Sequence, residues 1–244
     1  MKIIRDTQRN CARMAAEEYR KLLNENPHCV LGLATGSTPE MLYEELVALC
    51  KAGKLSFKDV TTYNLDEYVG LDGSHPQSYR YFMDSHLFNL VDIDKTRTHV
   101  PCGVGVTDEM AAHYDDEIKQ AGGVDLQLLG IGPNGHIGFN EPDEAFIPQT
   151  HCVQLTDATI DANARFFASR DEVPKQAYTM GIWGIMQARR VVLVASGAGK
   201  AQAVRDAFTG PITPKVPASI LQLHPDFTLI ADEAALSLAL AKGL

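Results

Sequence analysis

The sequence predicts an α/β fold: an open, mostly parallel sheet with helices on both faces. Three observations carry this. Short apolar runs rich in Val, Ile and Leu recur along the chain, the composition of strands buried on both faces. Several are followed by a turn signal and then a helical pattern, the alternation that builds a parallel sheet. No linker, internal repeat or low-complexity segment interrupts the 244 residues, so 1–244 is expected to form one domain.

Residues 2–5 make a short first strand. Residues 7–23 read as an amphipathic helix, with Ala12, Ala15, Ala16, Tyr19, Leu22 and Leu23 at helical spacing. Residues 28–34 (HCVLGLA) form a near-continuous apolar run, expected as a buried strand. Thr35-Gly36-Ser37-Thr38-Pro39 follows at once. A hydroxyl residue ahead of Pro39 signals a helix start with proline at the first helical position, and the helix continues over 40–52. Further strands are expected at 60–64, 125–131 (DLQLLGI) and 191–195 (VVLVA). The last of these leads through a glycine-rich turn into a helix over 200–208. Residues 227–230 (FTLI) are the final strand, before a terminal helix. Residues 142–150 carry two prolines and no clear period; a lid and a plain surface loop both fit.

Composition narrows the function classes. Hydrophobic residues make up 45% and charged residues 22%, an ordinary globular balance that supports a large core. The net charge of −9 argues against nucleic acid and anionic membranes as partners, since both call for basic surface. A local basic pocket can still hold a small anion. The five cysteines, Cys11, Cys29, Cys50, Cys102 and Cys152, are odd in number and form no CxxC pair. Reduced thiols in a cytoplasmic protein fit better than a disulfide framework or a zinc cluster. The N-terminus turns polar too soon for a signal peptide, and no apolar stretch is long enough to span a bilayer.

In open α/β sheets ligands bind beyond the carboxyl ends of the strands, so chemistry is sought there. Four segments qualify. Thr35-Gly36-Ser37-Thr38 offers backbone N–H groups at a helix start and three hydroxyls, an anion cradle, although a plain helix cap reads equally well. Ser196-Gly197-Ala198-Gly199-Lys200 fails the nucleotide P-loop pattern, because no Ser or Thr follows Lys200 and the glycine spacing differs. A simpler phosphate site with Lys200 as a point charge remains, against a tight turn with a solvated lysine. Asn64-Leu65-Asp66-Glu67-Tyr68 puts two acids after a strand. On extended chain they point to opposite sides, so one of them faces the site as a candidate general base; the plainer reading is a capping or salt-bridged aspartate. The segment 129–142, LGIGPNGHIGFNEP, is the most specific. His136 can shuttle a proton near neutral pH, and Glu141 lies close enough along a curled loop to orient its ring.

These residues resemble the glucosamine-6-phosphate deaminase family. The carriers are TGSTP, NLDEYVGL, HPQSY, LLGIGPNGHIGFNEP, NARFF and SGAGK, in family order from Thr35 to Lys200. The resemblance implies a Rossmann-like fold and an aldose–ketose isomerisation coupled to loss of ammonia, with an amino-sugar phosphate as substrate and no cofactor or metal. It implies Asp66 as enolisation base, His136 as ring-opening group and Glu141 as its carboxylate partner. Phosphate then falls to the Thr35–Thr38 loop, Arg165 and Lys200. Asn134 stands where many members of the family carry an aspartate of the ring-opening group; it keeps the hydrogen bonding and loses the charge. Residues 149–153 lack the Arg or Lys that the allosteric hexamers place there, so a non-allosteric monomer or small homo-oligomer is expected. Two rivals are a 6-phosphogluconolactonase, similar in fold and in its GxxGH loop, and a non-catalytic sugar-phosphate sensor.

Overall fold

The computed structural model describes residues 1–105 and 107–244. Its centre is a seven-stranded sheet. In chain order the strands are β1 (Lys2–Asp6), β2 (Val30–Leu33), β3 (Thr61–Asn64), β5 (Thr98–His99), β6 (Leu126–Leu129), β9 (Arg190–Ala195) and β10 (Phe227–Asp232). They lie in the order β1-β10-β9-β6-β2-β3-β5, and every pairing is parallel. Helices surround the sheet: α1 (Gln8–Glu25), α2 (Ser37–Lys51), α4 (Asp108–Gln120), α7 (Ala201–Thr209) and α8 (Glu233–Leu240) are the longest.

The apolar runs are strands because both their faces are covered. Leu31, Leu33, Leu126, Leu128, Val192, Leu193 and Leu229 are fully buried. Each such side chain contributes about 1.5–3 kcal/mol of transfer free energy. Thr7 caps α1, accepting from the Asn10 backbone N–H, and Cys11, Ala15, Tyr19 and Leu23 pack inward at helical spacing.

The strand order fixes where a ligand sits. From β2 the chain steps outward through β3 to β5; it then returns to place β6 on the other side of β2 and moves outward again through β9 and β10. The direction reverses between β2 and β6, so a crevice opens beyond their carboxyl ends.

The expected elements are all present within two or three residues of their expected ends. Pro39 is the exception in detail: α2 starts at Ser37, so the proline is its third residue rather than its first. It is tolerated there because the first-turn N–H groups have no helical partner. A second sheet went unforeseen, β4 (Asp66–Tyr68), β8 (Gln176–Thr179) and β7 (His151–Gln154), antiparallel in the order β4-β8-β7. It covers a small cluster of Tyr68, Phe139, Leu155, Ile160, Val173 and Ala177. Residues 142–150 contribute nothing to the lining of the crevice. The Ile147 and Pro148 carbonyls accept from the N–H groups of Ile182 and Trp183, and Thr150 N–H donates to Asp115 at 2.8 Å. Among the described residues no helix is long and apolar enough to cross a membrane.

Candidate active site

The crevice is a cleft of about 490 Å³ lined by the turns that follow β2, β3, β6 and β9. All four sequence-selected segments reach it. Thr35, Gly36, Ser37 and Thr38 form one wall. Gly36 has φ +104°, a conformation open to glycine, which lets the chain leave β2 and turn into α2.

Lys200 and Arg165 stand in the same cleft with Ser196. Lys200 ends a short 3-10 turn (Ala198–Lys200) ahead of α7, and its Nζ donates to the Ile131 carbonyl at 2.6 Å. Burial, aided by the Arg165 charge, lowers its pKa. The Arg165 guanidinium packs over the Phe166 ring at 4.6 Å. Two cations in one cleft, with the residues of α2's N-terminus in the same lining, suit a dianion. The turn itself is fastened by Asp232, whose carboxylate accepts from the Ser196 hydroxyl and the Gly197 N–H.

Asp66 lines the cleft between these walls and is buried. Burial pushes its carboxyl well above the usual carboxylate range, and the neighbouring Glu67 charge adds to this. Glu67 points the other way, as alternation along β4 requires. Its carboxylate accepts the backbone N–H groups of Tyr68 at 2.8 Å, Tyr79 at 2.9 Å and Arg80 at 3.0 Å. It thereby ties β4 to the start of α3 (Tyr79–Met83). Tyr79, a cleft residue that sequence reasoning did not single out, stacks on Phe139. Its only sequence signal was its place in the HPQSY segment.

His136 and Glu141 meet across the loop that follows β6. His136 Nδ1 lies 3.6 Å from Glu141 Oε2, an ion-pair distance just beyond hydrogen bonding. Asn134 Nδ2 donates to the same oxygen at 2.7 Å, and its Oδ1 accepts the His136 backbone N–H at 3.2 Å. The other carboxylate oxygen, Oε1, accepts from Thr156 and Thr159. Burial alone would raise the Glu141 carboxyl; the His136 ring, with Thr159 and Asn134, outweighs it and holds the pKa at about 2. Gly132 passes directly beneath the imidazole, where a Cβ would lie 2.3 Å from ring atoms. His75, by contrast, sits on an exposed loop away from the cleft.

A carboxyl with a raised pKa, the His136 imidazole and two cations therefore share one cleft, while Asn134 and Glu141 contact His136 from outside its lining. A family model described as glucosamine-6-phosphate isomerases/6-phosphogluconolactonase matches residues 5–229. The chain belongs to this family. Two curated relatives named glucosamine-6-phosphate deaminase are close to it. The one from Thermoanaerobacter pseudethanolicus is 52% identical, over 93% of this chain and 90% of its own. The one from Clostridium perfringens is 50% identical, over 97% and 98%. A solved structure described as a monomeric glucosamine-6-phosphate deaminase superposes with a TM-score of 0.94 at 43% identity, covering 98% of this chain and all of its own. The 6-phosphogluconolactonase from Trypanosoma cruzi, at 20% identity and a TM-score of 0.71 over 97% and 96%, shares the fold. The family thus spans two chemistries on one sheet, and the side chains of the cleft must distinguish them.

Proposed function

We propose that this chain is a glucosamine-6-phosphate deaminase, converting glucosamine 6-phosphate and water to fructose 6-phosphate and ammonia. One observation carries the reading: a buried Asp66 carboxyl lines the same cleft as His136, which Glu141 backs from outside the lining, and as the cations Arg165 and Lys200. Isomerisation needs a base for a carbon-bound proton beside a ring-opening group. Lactone hydrolysis needs no such base. The relatives at 50–52% identity, named as deaminases, support the same choice.

The steps follow from the groups available. Phosphate binds between Thr35–Thr38, Arg165 and Lys200, which anchors the sugar away from the reacting carbons. His136 takes the proton of the C1 hydroxyl and delivers one to the ring oxygen, opening the pyranose; Glu141 stabilises the imidazolium formed between the two transfers. Asn134 holds Glu141 through its amide. Asp66 then removes the C2 proton, giving an enolamine, and the proton is returned at C1. Burial, by raising its pKa, makes it a stronger base than an exposed carboxylate. The resulting iminium at C2 takes up water and expels ammonia. Every step uses side chains of this chain and water.

We also infer a monomer that needs no activator. Residues 149–153 carry no Arg or Lys, and the similar solved deaminase is described as monomeric. Sedimentation of the purified protein tests this; a stable hexamer would overturn it.

The activity is tested by supplying glucosamine 6-phosphate and, separately, 6-phosphogluconolactone. Ammonia from the first and no accelerated hydrolysis of the second is expected. Hydrolysis of the lactone without ammonia release would overturn the reading.

A further inference from the structure

Glu141 faces His136 with one oxygen only. Oε2 is shared by His136 and Asn134, whereas Oε1 is turned away toward two hydroxyls, with the Thr156 backbone N–H a distant third donor at 3.5 Å. Both hydroxyls belong to the start of α5 (Asp157–Asn163): Thr156 is its N-cap, and Thr159 lies in its first turn. The Thr156 hydroxyl accepts the Thr159 backbone N–H at 3.3 Å, lies 3.2 Å from Oε1 and 3.1 Å from the Thr159 hydroxyl. The Thr159 hydroxyl donates to Oε1 and is almost fully buried.

The carboxylate is nearly without solvent, at 6% side-chain exposure, so each lone pair that faces no donor carries a desolvation cost. Two oxygens and a pivot at Cδ also leave it free to rotate. With donors on both sides the rotation is fixed, and Oε2 stays 3.6 Å from the imidazole. Remove the hydroxyls on the Oε1 side and only the long Thr156 N–H contact remains there, so the group gains by turning toward water or toward Asn134, away from the ring. A shift of about 1 Å in such a partner is enough to misalign a proton transfer.

We propose that Thr159, aided by Thr156, is a positioning residue for ring opening: its hydroxyl locks the rotation of Glu141 and so orients His136. The inference rests on the deaminase reading for its kinetic consequences, but not for its structural ones. Thr159→Val replaces the hydroxyl with a methyl of the same size. Turnover of glucosamine 6-phosphate should fall about tenfold or more, the loss of one hydrogen bond to a charged group. Binding of the reduced, acyclic form of the substrate should stay unchanged, since it needs phosphate contacts and no ring opening. The Glu141 carboxyl, followed by 13C NMR, should titrate at a higher pH than in the parent, because a donor to its anion is gone. Thr159→Ser should restore both turnover and titration.

Thr156→Asp gives a second handle. It keeps an oxygen to cap α5 but turns the donor into a like charge, so turnover should drop further and the Glu141 titration should rise further. Should Thr159→Val fail to fold, this variant and Thr159→Ser carry the test. Parent-like turnover and titration in Thr159→Val or Thr156→Asp would overturn the proposal. So would a loss of turnover accompanied by weakened binding of the acyclic analogue and an unmoved Glu141 titration, which marks a merely structural role. A parent protein that releases no ammonia, yet shows the titration shift in the variants, would overturn the deaminase reading and keep the clamp.

Discussion

Gly132→Ala is the sharpest perturbation the cleft offers, because it adds one methyl group and touches one functional group. A Cβ at position 132 would lie 2.3 Å from His136 Cε1 and 2.4 Å from both ring nitrogens. Ordinary contact begins near 3.4 Å, so the imidazole must move by about 1 Å. The backbone of Gly132 is outside the left-handed region, and alanine is therefore unstrained in itself. The ring has little room to retreat, with Glu141 on one side and Phe139 nearby. Displacement of a catalytic group by this much costs about a hundredfold in rate. The expected result is turnover of glucosamine 6-phosphate reduced about a hundredfold with KM less affected, since the nearest neighbours of the added methyl are all atoms of the His136 ring and not of the cations proposed to hold phosphate. Ammonia release under saturating substrate measures it, and a thermal melt controls for folding. Parent-like turnover in a folded Gly132→Ala protein would refute the role given to His136.

Four further outcomes follow. Asp66→Asn should abolish ammonia release while phosphate-dependent binding survives, as calorimetry with the acyclic substrate analogue would register; retained turnover would exclude Asp66 as base. Arg165→Ala and Lys200→Met should each raise KM about tenfold or more and lower turnover less, the pattern of lost anchoring, seen in steady-state kinetics. Glu141 has its pKa lowered from 4.5 to about 2 in the folded protein, so it contributes stability that is full above pH 4.5 and lost as pH falls through about 2. Melting curves over that window should therefore drop more steeply for the parent than for Glu141→Gln, by about 3 kcal/mol at most. Asn134→Asp would put a second carboxylate where an amide now donates to Glu141 at 2.7 Å. The pair should then hold a proton to higher pH, and the acid limb of the rate profile should move upward.

The parallel sheet was legible because its strands are apolar on both faces; β9, with Val191, Val192, Leu193 and Val194 all buried, could be little else. Its ligand turns were legible for a related reason, as glycines and hydroxyls interrupt the chain just where such strands end. The second sheet hid itself. In β4 the residues Asp66 and Glu67 read as two acids after a strand, one facing the site, and the burial of the other is explained only by the three backbone donors to Glu67. Helix α4 is polar for most of its length and shows a weak apolar stripe in sequence. That Arg165 and Lys200 line one cleft depends on how the segment after β7 packs in three dimensions, and local pattern carries no record of that. Nor could Thr156 and Thr159 be picked out: two threonines in a polar stretch signal a helix cap, and their second use as donors to Glu141 appears only in three dimensions.

The most direct test follows glucosamine 6-phosphate by 1H NMR with the parent protein and Asp66→Asn in parallel, while ammonia is measured in the same samples. The account predicts fructose 6-phosphate and ammonia in equal amounts from the parent, loss of the C2 proton signal in step with them, and none of these from the variant. Unchanged substrate with the parent, or equal turnover by Asp66→Asn, would contradict it.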